Sequence, residues 1–187
     1  TARCVGLLGK YGKHQREVWR GISFLLREQE KNGSWFGRWG TNYIYGTWSV
    51  LEAFRLAQFD MQHISVRRAV KWLESVQRDD GGWGETNDSY LDAQWAGQFP
   101  ETSTTFQTAW AVLGLMAADE VNSEAVRRGI QYLLRSQNAD HLWDDPWFTA
   151  PGFPRVFYLR YHGYSKFFPL WALARYRALT RTIAACE

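Results

Sequence analysis

The feature that most constrains the fold of this chain is a sequence unit that occurs three times. The copies occupy residues 20–35, 68–83 and 128–143. Each runs from an Arg through a β-branched residue, an aromatic residue and a Leu to a Gln, and a Trp follows that Gln six positions later. Repeats of this length indicate similar supersecondary units that stack and share one core.

Each unit begins as an amphipathic helix and ends in a turn. In the first copy Ile22, Leu25 and Leu26 form one apolar stripe at helical spacing, and the other copies have equivalent stripes. Gly33 and Gly81 stand in the first two turns, where glycine accepts positive φ. The third turn has His141 instead of glycine, so we expect it to be less regular.

A second helix follows each unit, and the three second helices share a Trp, at positions 48, 110 and 171. Their composition is rich in small and aromatic residues and poor in charge, which is typical of helices buried on most sides. The sequence therefore predicts an all-α fold of hairpins, with the first helix outside and the second inside, and no strands. Three such hairpins cannot close a ring, so we expect one end to leave an apolar face uncovered.

Composition narrows the function classes. Aromatic residues make up 17% of the chain, with 11 Trp, which is more than a modest core needs. A net charge of +3 without a Lys/Arg block does not indicate a nucleic-acid partner. Cys4 and Cys186 have no partner motif, so no disulfide is expected. The uncharged run 102–118 contains Ser, Thr and Gln, which favours a buried helix over a bilayer span.

The repeat resembles the Gln-x-x-x-Gly-x-Trp element of triterpene cyclases, and other stretches extend the resemblance over nearly the whole chain. Residues 33–40 (GSWFGRWG), 80–85 (DGGWGE) and the segment that begins GFP at 152 are similar to squalene–hopene cyclases. The resemblance implies that residues 1–187 are the C-terminal part of a single (α/α)6 barrel domain. It also implies that the repeat residues are scaffold, whose Gln and Trp stack and cap an inner-helix end: Gln29, Gly33, Trp35, Gln77, Gly81, Trp83, Gln137 and Trp143. A simpler alternative is that the Gln residues are only polar helix termini.

The resemblance further implies a cavity lined by aromatic rings, which would stabilise carbocations without reacting with them. The matching positions are Trp39, Tyr45, Phe153, Phe157, Tyr161 and Tyr164, and Tyr158 matches with a less certain role. Phe153, Phe157, Tyr161 and Tyr164 are spaced four, four and three, which predicts one face of a helix. An ordinary aromatic core stripe is the alternative interpretation.

The initiating acid of that family, an Asp-x-Asp-Asp motif, is absent from this sequence. The acidic pairs 79–80 and 144–145 are interpreted as solvated turn residues. The four histidines have no metal-ligand spacing and no diphosphate-binding box occurs, so neither a metal nor a cofactor is predicted. We expect the acid to lie upstream of Thr1, with this chain being a C-terminal fragment that is inactive alone.

The leading hypothesis is part of a bacterial squalene–hopene cyclase, which converts a linear C30 polyprene such as squalene into a pentacyclic hopanoid. The resemblance implies peripheral association with one membrane leaflet on its cytoplasmic side, and an exposed apolar edge allows a homodimer. Two alternatives remain open: a toroid like the β-subunit of protein prenyltransferases, and a non-catalytic α/α module that binds a hydrophobic partner.

Overall fold

Seven helices follow one another in a computed structural model that describes residues 1–99 and 102–184. The helices are α1 (Ala2–Lys10), α2 (Gln15–Arg27), α3 (Tyr43–Leu56), α4 (Ile64–Ser75), α5 (Thr105–Ala117), α6 (Glu124–Arg135) and α7 (Tyr164–Ala184). Two short 3-10 helices, Asn87–Tyr90 and Ala93–Trp95, lie between α4 and α5. Cys186 lies outside the described residues, and Cys4 is an exposed free thiol.

The helices form an inner and an outer layer, which confirms the predicted hairpins. Helices α1, α3, α5 and α7 pack side by side in that order. Every residue of α5 is buried, as are ten residues of α3, because these helices have neighbours on almost all sides. Helices α2, α4 and α6 bury one apolar stripe each and expose the opposite face. The inner helix α1 lies before the first repeat and was not predicted.

The prediction that strands are absent is wrong. Strands β1 (Ala150–Phe153) and β2 (Phe157–Leu159) form a two-stranded antiparallel hairpin between α6 and α7. The chain reverses because Val156 N donates to Phe153 O at 3.0 Å and Arg155 adopts φ 68°. An isolated bridge also joins Trp83 to Thr104.

The three turns that close the repeats have the same backbone hydrogen bonds, so the expected irregularity of the third turn is wrong. Gly33 N donates to Glu30 O at 2.9 Å, and His141 N donates to Asn138 O at 3.0 Å. His141 adopts φ 59°, the left-handed region that Gly33 occupies at φ 100°. A Cβ on Gly33 would lie 2.6 Å from the carbonyl oxygen of Arg68 on the next outer helix. Helix α6 is the last outer helix in the described residues, so no equivalent helix lies against His141.

We expect His141→Gly to raise the free energy of unfolding by about 0.5–1 kcal/mol. The substitution relieves a left-handed conformation that costs an L-residue about 1–2 kcal/mol, and the added entropy of the unfolded chain offsets part of that gain. Urea unfolding followed by circular dichroism measures the difference. Gly33→Ala is the matched control and should be destabilising, because its Cβ meets the Arg68 backbone. A less stable His141→Gly protein would contradict this account.

Candidate functional site

The Trp of each repeat fixes the end of its own outer helix. The indole nitrogens of Trp35, Trp83 and Trp143 donate to backbone oxygens ten residues earlier, at Leu25, Leu73 and Leu133, over 2.7–2.8 Å. Each acceptor is in the last turn of an outer helix, where carbonyl groups lack intrahelical partners. The Trp backbone also reaches the inner layer, since Trp35 N donates to Thr47 Oγ1 at 3.0 Å and Trp83 N to Thr108 Oγ1 at 2.9 Å.

The Gln of the repeat ties one outer helix to the next. Gln29 Nε2 donates to Gly33 O in its own turn and to Ser65 O in the first turn of α4. Gln77 Nε2 repeats this with Gly81 O and with Ala125 O in the first turn of α6. Gln137 Nε2 donates to His141 O in its own turn. The expectation that these Gln residues cap an inner-helix end is therefore wrong, because their amides bond within the outer layer.

Buried carboxylates cap the inner helices instead. Glu85 accepts hydrogen bonds from the backbone N–H groups of Asn42, Tyr43 and Ile44 at 2.9–3.2 Å, at the start of α3. Asp145 accepts from the backbone N–H and the hydroxyl of Thr105 at the start of α5. Burial raises the pKa of both carboxyl groups, and the hydrogen bonds they accept oppose that rise.

The interpretation of Asp145 as a solvated turn residue is wrong, because its side chain is buried. Asp79, Asp80 and Asp144 are exposed, as predicted. Both capping acids stand two residues after a repeat Trp, and this constant offset is the sequence signal that marks them.

The loop that carries Trp39, residues 36–42, lies over the start of α3, and we call it the Trp39 loop. A Cβ on Gly40 would come within 2.4 Å of the Tyr45 ring, so the loop backbone rests directly on that ring. Trp39 is 55% exposed, and its ring lies 5.0 Å from the guanidinium of Arg38. Trp39 and Tyr45 line an open cavity of about 360 Å³ between this loop and the N-terminal helices.

Tyr45 and Tyr164 belong to a continuous cluster of aromatic rings that joins the inner helices. Tyr45 contacts Trp110 edge-on at 5.0 Å between ring centroids, and Tyr164 contacts the same Trp110 at 5.8 Å. Tyr161 stacks on Tyr164 at 5.0 Å. Trp48 and Trp110 stack at 6.0 Å with an interplanar angle of 6°. We call this set the inner ring cluster: Tyr45, Trp48, Trp110, Tyr161, Tyr164, Phe168 and Trp171.

The hairpin carries the remaining two predicted rings. Phe153 and Phe157 are partners across the antiparallel pair, with ring centroids 5.8 Å apart. The predicted helix face through Phe153, Phe157, Tyr161 and Tyr164 is therefore wrong, because the first two lie on opposite strands and only Tyr164 lies in a helix. Phe153 is 56% exposed and Phe157 is 45% exposed, so both present ring surface to solvent in this chain.

Backbone contacts hold the hairpin beside the Trp39 loop. Thr41 N donates to Thr149 O at 3.2 Å, and Tyr161 N donates to Thr149 Oγ1 at 2.9 Å. The structure thus places Tyr45, Tyr161 and Tyr164 in one cluster. The exposed rings of Trp39, Phe153 and Phe157 lie on the Trp39 loop and the hairpin. Thr149 connects these segments to each other and to Tyr161 by the two hydrogen bonds given above.

Two residues at this site were missed by sequence reasoning. The Arg3 guanidinium lies 4.3 Å from the Trp48 ring centroid and 5.4 Å from that of Tyr45. Tyr90 is 1% exposed and contacts both the Trp39 loop and the hairpin. Neither residue has a sequence signal of its own, because each partner is distant in sequence. Within residues 1–99 and 102–184, no group of three or more His, Cys, Asp or Glu side chains is arranged to hold a metal ion.

Alternating inner and outer helices, braced by repeated Gln and Trp residues around an aromatic cluster, define the α/α-hairpin class of fold. The sequence profile of the squalene–hopene cyclase C-terminal domain matches residues 1–178. The chain belongs to the squalene–hopene cyclase family.

Curated relatives agree with this assignment. The chain is 58% identical to a probable squalene–hopene cyclase of Sinorhizobium fredii and 52% identical to the squalene–hopene cyclase of Zymomonas mobilis. It is 46% identical to the dammaradiene synthase of Dryopteris crassirhizoma, in a match that covers 84% of this chain and 25% of that protein. The two bacterial matches cover 97% of this chain, and the chain spans 28% of the length of these relatives. In the described part of the chain, no helix is long and apolar enough to cross a membrane.

Proposed function

We propose that this chain forms part of the cavity wall of an enzyme that cyclises a linear C30 polyprene, squalene, to a pentacyclic hopanoid. The cyclisation is a carbocation cascade that begins when an acid protonates a terminal double bond. The observation that carries the proposal is the inner ring cluster together with the exposed rings of Trp39, Phe153 and Phe157.

The rings of the proposed wall meet the two needs of such a cascade. An aromatic face attracts a cation by about 2 kcal/mol or more when water is excluded, and it offers no lone pair that would trap the cation. Edge-on contacts such as that of Tyr45 with Trp110 fix ring orientation before the substrate enters, so that no reorganisation is needed during the reaction. Tyr161 and Tyr164 extend the same surface toward the hairpin.

In this proposal each part of the chain has a distinct role. Trp39 and Tyr45 line the cavity beside the loop, and Phe153 and Phe157 face the later cations. The Gln and Trp residues of the repeats hold the helices that carry these rings. The sequence contains no Asp-x-Asp-Asp motif, so we assign the protonating acid to a part of the cyclase that this chain does not include.

A direct test uses a full-length cyclase in which this chain replaces the matching segment of the Zymomonas mobilis protein. We expect Phe157→Ala to raise the share of partly cyclised products several-fold, because a later cation loses its stabilising ring. The measurement is gas chromatography with mass spectrometry after incubation with squalene. Trp19→Ala, which removes an exposed ring of the outer helix α2, is the matched control. An unchanged product spectrum in Phe157→Ala would remove Phe157 from the cavity wall.

A second candidate function is cyclisation of a linear polyprene to a different ring system. The similarity to a protein named dammaradiene synthase favours this second function, because it shows that related chains carry the names of different products. The same product analysis separates the two, because each ring skeleton has its own mass spectrum. An oxidised polyprene or one of another length is a further substrate that the assay can include. The prenyltransferase-like toroid is not favoured by the family to which the chain belongs.

We further propose that the full-length enzyme binds one membrane leaflet peripherally from the cytoplasmic side, because its substrate is a membrane-soluble hydrocarbon. Phe167 and Leu170 of α7 are 72% and 60% exposed, and this apolar surface also supports a homodimer. Sedimentation with phospholipid vesicles tests the first proposal, and analytical ultracentrifugation tests the second. Protein that stays in the supernatant would contradict membrane binding. A single monomeric species would contradict the homodimer.

A further inference from the structure

Tyr90 joins the Trp39 loop to the hairpin. Its side chain hydrogen-bonds to the loop, and its backbone hydrogen-bonds to the hairpin. Its hydroxyl group lies 2.7 Å from Gly37 O and 2.8 Å from Gly40 O, so one proton is shared between two loop carbonyls. Its backbone oxygen accepts from Arg155 Nε at 2.6 Å. Its ring lies 6.1 Å from that of Tyr158 in β2.

The surroundings of Tyr90 make its hydroxyl a fixed donor. The residue ends the 3-10 helix Asn87–Tyr90, which follows the buried Glu85, and its ring contacts Phe36 edge-on at 5.6 Å. Burial raises the pKa of the Tyr90 hydroxyl, so the group stays protonated at neutral pH. With 1% of its surface exposed, Tyr90 cannot itself touch a substrate in the cavity.

The loop that Tyr90 holds is pinned from its other side by the cavity wall. Gly40 lies against the Tyr45 ring, so a shift of the Gly40 carbonyl moves the backbone next to Trp39 relative to Tyr45. On the hairpin side, Arg155 stands in the tight turn between Phe153 and Phe157, at φ 68°. One buried residue therefore bridges the two segments that carry Trp39 and the Phe153–Phe157 pair, and it adds to the Thr41–Thr149 hydrogen bond between them.

We propose that Tyr90 is a positioning residue that fixes the Trp39 loop against the β1–β2 hairpin and thereby determines how far the cyclisation proceeds. This inference rests on the proposed function for its effect on products, although its structural part does not. The hydroxyl group holds the loop, while the ring and backbone hold the hairpin. Removing the hydroxyl loosens only the loop, and removing the Arg155 side chain loosens only the hairpin.

Tyr90→Phe isolates the role of the hydroxyl, and Tyr132→Phe is the matched control. Tyr132 also donates its hydroxyl to a backbone oxygen, that of Ser103 at 2.9 Å, which belongs neither to the Trp39 loop nor to the hairpin. Tyr132→Phe loses one hydrogen bond, which contributes about 0.5–1.5 kcal/mol to stability, whereas Tyr90→Phe loses a donor shared by two buried carbonyls, so its melting temperature should fall by at least as much. Any difference between them beyond stability reports on positioning.

Hydrogen exchange measured by mass spectrometry on the full-length Zymomonas mobilis chimera tests the structural part without requiring turnover. Gly37 N donates to Asn42 Oδ1 at 3.0 Å and Thr41 N to Thr149 O, so both amides are protected. We expect peptides covering 36–42 to exchange at least about threefold faster in Tyr90→Phe and to be unchanged in Tyr132→Phe. Arg155→Met should instead accelerate exchange in peptides covering 150–159. Wild-type exchange in both segments would overturn the inference.

Product analysis with squalene tests the functional part. We expect Tyr90→Phe to lower kcat about tenfold, leave KM within about twofold, and raise the share of partly cyclised products, because displaced rings no longer face the cations. Tyr132→Phe should keep the wild-type product spectrum. If the unmodified chimera does not turn over squalene, the proposed function fails, and hydrogen exchange still decides the positioning role. An active Tyr90→Phe enzyme with wild-type products would overturn the inference alone.

Discussion

Replacing Glu85 by Ala is expected to lower the free energy of unfolding by about 3 kcal/mol or more. The carboxylate accepts three backbone hydrogen bonds at the start of α3, and it is 3% exposed, so water cannot replace it without a rearrangement. Each buried donor left without an acceptor costs about 1–3 kcal/mol, and the three together exceed the loss of an ordinary helix cap.

Urea unfolding of the variant measures this loss, with Glu74→Ala as the control, because Glu74 is an exposed residue on an outer helix. The control should change stability little. Glu85→Gln separates charge from shape, since its amide oxygen keeps one acceptor while its NH2 group faces the backbone donors. A Glu85→Ala protein as stable as the control would show that Glu85 does not hold α3.

The same carboxyl group gives the protein a pH-dependent stability with a definite sign. Burial raises the folded-state pKa of Glu85 above its unfolded value, which is about 4.3 for a model Glu. The proton-linked part of the stability that Glu85 contributes is therefore fully present below that unfolded pKa and is lost as pH rises through the folded pKa. We expect urea midpoints measured at a series of pH values to fall less with rising pH in Glu85→Gln than in wild type.

The hairpin arrangement of helices could be predicted from sequence because the information is local and repeated. Helical spacing, turn residues and a Trp at a constant offset recur in all three units, so each copy supports the reading of the others. The contrast between charged outer helices and nearly uncharged inner helices fixed the two layers. Trp48, Trp110 and Trp171, which were aligned from sequence, meet in one ring cluster.

The β1–β2 hairpin could not be predicted from the spacing of its aromatic residues. A separation of four residues places Phe153 and Phe157 on one helix face, but it also places them opposite each other across a short reversal. The second outcome depends on Arg155 adopting a left-handed conformation, which its sequence does not favour. The anchor of that turn is the Tyr90 carbonyl, which lies far from the turn in the chain.

The helix caps were missed for a related reason. Glu85 and Asp145 follow the repeat Trp by two residues, yet each caps an inner helix that begins about forty residues earlier. An acidic residue after a turn normally indicates solvent exposure, and only the stacking of repeats brings it to a helix N-terminus. The first repeat has Gly37 at this position, which weakened the pattern further.

Gly46→Ala is the second change for which a large effect is expected, a loss of about 3 kcal/mol. A Cβ at this position would lie 2.1 Å from the Trp35 carbonyl oxygen and 2.8 Å from the carbonyl carbon of Phe36. Both obstacles are backbone atoms, and the bond from Trp35 N to Thr47 Oγ1 prevents the loop from moving away. The clash is therefore relieved only by breaking that hydrogen bond or shifting α3, which places the loss at the upper end of the usual cost of overpacking, about 1–3 kcal/mol.

Gly6→Ala is the matched control, because it is also a buried glycine within a helix. Its Cβ would meet the movable Leu56 Cδ1 at 3.3 Å, so the substitution should be neutral or stabilising by up to about 1 kcal/mol through higher helix propensity. The comparison is made by urea unfolding of both variants. In the full-length chimera, Gly46→Ala should also shift products toward partly cyclised ones, since the displaced loop carries Trp39. Equal stability of the two alanine variants would mean that the loop does not rest on α3. The position of Trp39, which is argued from that contact, would then be wrong as well.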